Sequence, residues 1–263
     1  MTGRRLSYVL DGPAGAPMLV LSGSLGTTRD MWLPQVAALG RQWRLLRIDH
    51  PGHGASPVWN ERVTIEDIGR AALELLDALE YERVSWCGLS LGGAIGQWMA
   101  ANAPQRIERL ILCCTSARFA NPDAYVQRAE TVRAQGMAAV SGAVVERWFT
   151  DRFRERQPEV VTRYRSMLES IPVEGYAACC EAVAGFDGRP YLAGITAPTL
   201  VVAGGEDRAT PVDHARALSD GIPHSRLEVI AAAAHLANVE QPDAVTEAIT
   251  THLRDEAERI SDG

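Results

Sequence analysis

The chain has 263 residues, 46% hydrophobic and 22% charged, so it can bury a sizeable core and is no disordered tail. Its 26 basic and 33 acidic residues leave a formal charge of −7 without strong clustering, which argues against a nucleic-acid or anionic-membrane surface. Every basic residue is Arg, and the lack of Lys excludes a Walker-A phosphate loop, a Schiff-base lysine and a Ser–Lys dyad.

Short apolar runs of strand length occur at Met18–Ser22, Arg44–Ile48, Val84–Cys87 and Arg109–Cys113, as expected of buried parallel strands. Between them, Ile65, Ile68, Ala72, Leu75, Leu76 and Leu79 repeat at helical spacing after a Thr64 N-cap with Asp67 in the first turn. A further helical pattern runs from Ala94 to Asn102. From about Ala120 to Gly185 no buried strand is legible and the composition is helical. Strand and helix then alternate again: Thr199–Ala203, a helix around Asp213–Leu218, Arg226–Ile230, and a last helix from about Asp243 to Glu258. The expectation is an α/β fold, a mostly parallel sheet with helices on both faces, formed by residues 1–115 and 191–263. Residues 116–190 would be a helical cap inserted into that core.

Five cysteines, Cys87, Cys113, Cys114, Cys179 and Cys180, show no CxxC spacing and read as small buried hydrophobes in a reducing compartment. The apolar run after Arg4 and Arg5 is broken at Asp11-Gly12-Pro13, and no run reaches the length of a membrane helix. A cytoplasmic protein without membrane or nucleic-acid partners is expected.

The strongest local signal is Gly88-Leu89-Ser90-Leu91-Gly92-Gly93, between a strand and a helix. A G-x-S-x-G turn there is a nucleophile elbow: the strained bend lifts the Ser90 hydroxyl above the sheet beside the amides of the helix start. The glycines flank it because side chains would collide across the turn. A serine hydroxyl needs a base, and the base needs an orienting acid. Of the later histidines, His214 falls in a helix, His224 in a loop before the last strand, and His252 on the last helix as a surface residue. His235 follows the last strand at the edge where the elbow opens, and is the expected base. Asp207, after the strand Thr199–Ala203, is the preferred acid, with Glu206 the alternative. The oxyanion hole would be the N–H groups of Leu91 and of Leu25, the latter in the loop Ser22–Thr28.

These residues resemble the α/β-hydrolases along nearly the whole chain. Asp49-His50-Pro51-Gly52-His53-Gly54-Ala55-Ser56 looks like the D-x-x-G-x-G-x-S loop of their small-molecule members, where a histidine such as His53 is structural. Within that superfamily, Ser22–Met31 with Trp32, Glu146–Thr150, Gly175–Cys180 and His235–Pro242 look like the 3-oxoadipate enol-lactonase family, apart from Gly23 and the Ala-rich run before His235. The resemblance implies hydrolysis of 3-oxoadipate enol-lactone to 3-oxoadipate in aromatic catabolism, by Ser90, Asp207 and His235, with no metal or organic cofactor. The free carboxylate of such a substrate asks for a cation. Arg128, Arg133, Arg147 and Arg208 are the candidates, Arg133 being preferred, with Trp148 as a pocket wall. Another esterase, C–C hydrolase or perhydrolase activity, or a non-catalytic ligand receptor on the same fold, is the alternative.

Overall fold

Among the described residues, 4–254 of a computed structural model, a single sheet takes seven strands. In chain order the elements are β1 (Tyr8–Asp11), β2 (Met18–Ser22), α1 (Leu33–Leu39), β3 (Arg44–Ile48), α2 (Ile65–Ala78), β4 (Val84–Leu89), α3 (Leu91–Asn102) and β5 (Ile107–Cys113). Five helices follow: α4 (Pro122–Gln135), α5 (Ala138–Trp148), α6 (Asp151–Arg156), α7 (Pro158–Glu169) and α8 (Val173–Ala184). The chain then adds β6 (Thr199–Gly204), α9 (Val212–Gly221), β7 (Ser225–Ile230), α10 (Ala237–Glu240) and α11 (Pro242–Arg254). The end of the last helix expected from sequence, residues 255–258, lies outside the described residues.

The strand order is β1-β3-β2-β4-β5-β6-β7, with β1 antiparallel to β3 and every other pair parallel. The expected strands are all present. β1 is an addition, half-exposed and short, with neither an apolar run nor a clean alternation to announce it. β2 and β4 are buried at every position, as a central parallel strand covered on both faces must be. β7 is mostly half-exposed because it closes the edge of the sheet.

Helix α2 begins as its sequence reads: the Thr64 hydroxyl accepts from the Asp67 N–H, and the Asp67 carboxylate accepts from the Thr64 N–H at 3.0 Å. α3 is buried along most of its length between sheet and neighbours. All five cysteines are buried free thiols, and burial pushes those of Cys114 and Cys179 up, away from reactivity. No helix among the described residues is long and apolar enough to cross a membrane.

The order of the sheet reverses between β2 and β4: β3 lies on one side of β2, and the chain then crosses to place β4 on the other. The loops after the carboxyl ends of β2 and β4 therefore open side by side, in the crevice where open α/β sheets take ligands.

Candidate active site

β4 delivers the chain to Ser90, which has φ 55° and ψ −109°. Such a conformation costs a non-glycine residue on the order of 1–3 kcal/mol and persists only where the surroundings hold it. Here the Ser90 N–H donates to the Cys113 carbonyl at 2.9 Å, and the Thr115 hydroxyl donates to the Ser90 carbonyl at 2.7 Å. The glycines are required by close approach. A Cβ on Gly88 would run into the backbone of Gly92, as expected across the turn. One on Gly92, however, would run into the backbone of Ser22, so that glycine is small for the sake of β2 and not of Gly88.

Ser22 pairs with Gly88 in register, which sets the loop after β2 beside Ser90. The Gly92 N–H donates to the Gly23 carbonyl at 2.9 Å and joins loop to elbow. Among the described residues, neither the Leu25 nor the Leu91 N–H donates to a protein acceptor, while the neighbouring amides of Ser24, Gly26 and Gly92 all do. Leu25 lines the same cavity as Ser90.

The loop 49–56 braces this arrangement. His50 Nε2 donates to the Gly23 carbonyl at 2.9 Å, and the Gly26 N–H donates to His53 Nε2 at 3.1 Å. His53 Nδ1 in turn donates to the Pro51 carbonyl at 2.9 Å. Burial, aided by the neighbouring His50, pushes His53 down to about 3, so it stays neutral and keeps its acceptor for Gly26. Asp49 accepts from the Arg29 N–H and guanidinium at 2.7 and 2.8 Å. His53 thus holds the residue next to Leu25 and stands off the reacting centre.

On the other side of Ser90, His235 Nδ1 donates to Asp207 Oδ2 at 2.9 Å. Asp207 also accepts from the Thr210 hydroxyl at 2.7 Å and from the amides of Ala209 and Thr210 at 2.7 and 3.0 Å. Burial alone would raise this carboxyl, but the charge and hydrogen bond of His235 and the Thr210 donors outweigh it and hold Asp207 below its ordinary range. Glu206, by contrast, is exposed, and among the described residues its carboxylate makes no hydrogen bond or ion pair with His235. Thr210, three residues after the acid, was not singled out from sequence; a hydroxyl in an Asp-x-x-Thr turn is its only signal. His214 is half-buried on α9 and His224 is exposed in its loop. His252 is a correction: it is 4% exposed, with Nε2 donating to the Pro198 carbonyl, because α11 packs against the sheet with that face inward.

Ser90, His235, Ser24 and Leu25 face a cavity of about 30 Å³, closed on the far side by Tyr125, Arg128, Val144, Arg147, Trp148 and Val183. The walls follow helical spacing: Tyr125 and Arg128 lie three apart on α4, and Val144, Arg147 and Trp148 share a face of α5. Arg133 is a second correction. It lies about 140° around α4 from Arg128, exposed, and pairs with Glu174 at 3.1 Å and with Glu181. Arg208 is exposed and outside the cavity wall. Arg128 and Arg147 are the cavity's cations, and neither has a carboxylate partner among the described residues. Arg128 lies over the Tyr125 ring, 4.9 Å from its centre. Burial and the repulsion of Arg128 push Arg147 down. An anion between them would relieve both effects.

A strained serine, a His–Asp pair and two free amides at the edge of a parallel sheet define a hydrolase of the nucleophile-elbow type. The family profile described as alpha/beta hydrolase fold matches residues 16–242. The chain is 39% identical to 3-oxoadipate enol-lactonase 2 of Acinetobacter baylyi, over 95% of this chain and 93% of that one. Among solved structures, the enol-lactonase of Burkholderia xenovorans superposes with a TM-score of 0.92 at 42% identity, covering 94% of this chain and 96% of the other. A thermophilic esterase of Thermogutta terrifontis, solved with malate bound, superposes at 0.89 with 32% identity, covering 95% and 93%. The chain therefore belongs to the α/β-hydrolase fold family and, within it, to the group of the 3-oxoadipate enol-lactonases. It is an enzyme, a carboxylic-ester hydrolase.

Proposed function

We propose that the chain opens a small enol lactone bearing a free carboxylate, 3-oxoadipate enol-lactone, to give 3-oxoadipate. The observation that carries this reading is the pair Arg128 and Arg147, uncompensated and facing Ser90 in a narrow cavity. Two guanidiniums beside the serine favour a substrate whose product is a dicarboxylate. The malate-bound relative, with a dicarboxylate ligand, is in keeping with that chemistry.

The residues act in a definite order. Ser90 Oγ attacks the lactone carbonyl while His235 Nε2 takes its proton, and Asp207 holds the imidazole and stabilises its charge. The N–H groups of Leu25 and Leu91 receive the oxyanion. Collapse breaks the bond to the ring oxygen, which leaves as a conjugated enolate, takes the proton held on His235 and tautomerises to the ketone, so that His235 is neutral again. His235 then draws a proton from water, which attacks the acyl-serine, and the second carboxylate is released as Ser90 regains its proton. No step in this sequence calls on a metal or an organic cofactor. Residues 116–190 serve as the cap, excluding bulk water and setting the pocket's size.

The test is conversion of the enol lactone with chromatographic detection of 3-oxoadipate. Wild-type enzyme should release one product per lactone consumed, and Ser90→Ala should stay folded with turnover lowered by about 10⁴–10⁶-fold. Near-wild-type turnover in that variant would overturn the assignment of the nucleophile.

A further inference from the structure

We propose that Glu240 is a positioning residue for His235: its buried carboxylate clamps the loop that carries the base to the helical block that walls the pocket. The proposal rests on the reading of His235 as the base. Glu240 ends α10, five residues after His235, and is 7% exposed. Its Oε1 accepts from the Thr150 N–H at 2.9 Å and from the Thr150 hydroxyl at 2.8 Å. Its Oε2 accepts from the N–H of Ala234, the residue before His235. Thr150 stands two residues after Trp148, at the junction of α5 and α6. A second tie runs alongside, where the Leu236 N–H donates to the Trp148 carbonyl at 3.0 Å. The backbone is thus fixed to the block on both sides of His235, while Asp207 holds only the ring.

Ala231-Ala232-Ala233-Ala234 offers no side chain that could anchor the loop, and Ala232 bends it at φ 52°. The Glu206 N–H donates to the Ala233 carbonyl at 2.9 Å and Gln241 Nε2 to the Ala232 carbonyl at 3.0 Å, while the acceptor for the Ala234 N–H, next to His235, is Glu240. No cation pairs with this carboxylate among the described residues, so its partners are N–H and O–H donors and not a salt bridge. Burial holds its pKa above the ordinary carboxylate range even against those donors. Displacing a catalytic group by about 1 Å can cost on the order of 10²-fold in rate, so the clamp bears on turnover as well as on folding.

Glu240→Gln keeps the shape, but either orientation of the amide turns its NH₂ toward one of the two backbone N–H groups. The probe is p-nitrophenyl acetate, with active sites counted by a fluorophosphonate. For Glu240→Gln, kcat per titrated site should fall about 10-fold or more with KM nearly unchanged. A variant that lost melting temperature but kept wild-type kcat per titrated site would overturn the proposal, since Glu240 would then only hold the fold together. If Glu240→Gln does not fold, Thr150→Val decides. A kcat loss of about three-fold or more, restored in Thr150→Ser, supports the clamp; wild-type kcat in Thr150→Val overturns it. Wild-type protein that neither turns over the ester nor takes up the fluorophosphonate would instead overturn the serine-hydrolase reading itself.

Discussion

At the scale of single residues, Ser90 and His235 were legible because glycine spacing and position after a strand each permit one placement. The choice between Asp207 and Glu206 was not, since both follow β6 and either carboxylate could orient a histidine. Burial favours Asp207 as the proposed acid: it is 5% exposed and receives four hydrogen bonds, one of them from His235, while Glu206 faces solvent. Asp207→Asn should therefore lower kcat by about 10³–10⁴-fold, and Glu206→Gln should leave it within about three-fold. Steady-state kinetics on p-nitrophenyl acetate checks this, and the reverse order would move the role to Glu206. His53 supplies a pH dependence. Its folded pKa of about 3 lies below its ordinary 6.5, so neutral His53 contributes stability above pH 6.5 that is lost as pH falls from there toward 3. The loss from this one group is about 1.4 kcal/mol per pH unit inside that window. Urea melts between pH 6 and 4 should show a slope shallower by about one proton in His53→Gln than in wild type. Equal slopes would mean that His53 is not held neutral.

At the scale of elements, the strands were read from short apolar runs, and the helical block from the lack of any such run after β5. What periodicity could not supply was the rotation of α4. Arg128 and Arg133 belong to one helix of weak amphipathic character, and no apolar stripe in the sequence says which faces inward. In the structure Ala129 and Val132 are buried and set the inward face, which brings Arg128 to the cavity and turns Arg133 toward Glu174 and Glu181. Arg128→Gln should raise KM for the enol lactone by about 10–100-fold, the range for loss of a charge-assisted hydrogen bond. Arg133→Gln should leave KM unchanged apart from a small loss of stability, as for an exposed pair. Initial-rate kinetics on the two variants checks the assignment. A larger effect from Arg133 would return the anion site to the outer face of α4.

At the scale of the whole molecule, the reversal of strand order between β2 and β4 makes the site. It sets the loop of Leu25 against the elbow of Ser90, and the helical block between β5 and β6 closes the space above them. The small α10 gathers three parts of the chain: Asn238 Nδ2 donates to the Met31 carbonyl at 2.9 Å, Glu240 accepts from Thr150, and His235 stands just before it. The fold was legible in the sequence because alternation of strand and helix is a pattern along one dimension. The cross-connections through Glu240, Asn238 and Thr210 were not, since each joins residues that only the finished topology brings together. Recognition of the lactone by its free carboxylate is what the proposed function rests on. The most direct measurement compares kcat/KM for 3-oxoadipate enol-lactone with that for α-angelica lactone, which has the same enol-lactone ring but a methyl group in place of the carboxymethyl arm. Wild-type enzyme should favour the carboxylate by at least about 10-fold, and Arg128→Gln should remove most of the preference. Equal kcat/KM for the two lactones in wild-type enzyme would contradict the proposed function.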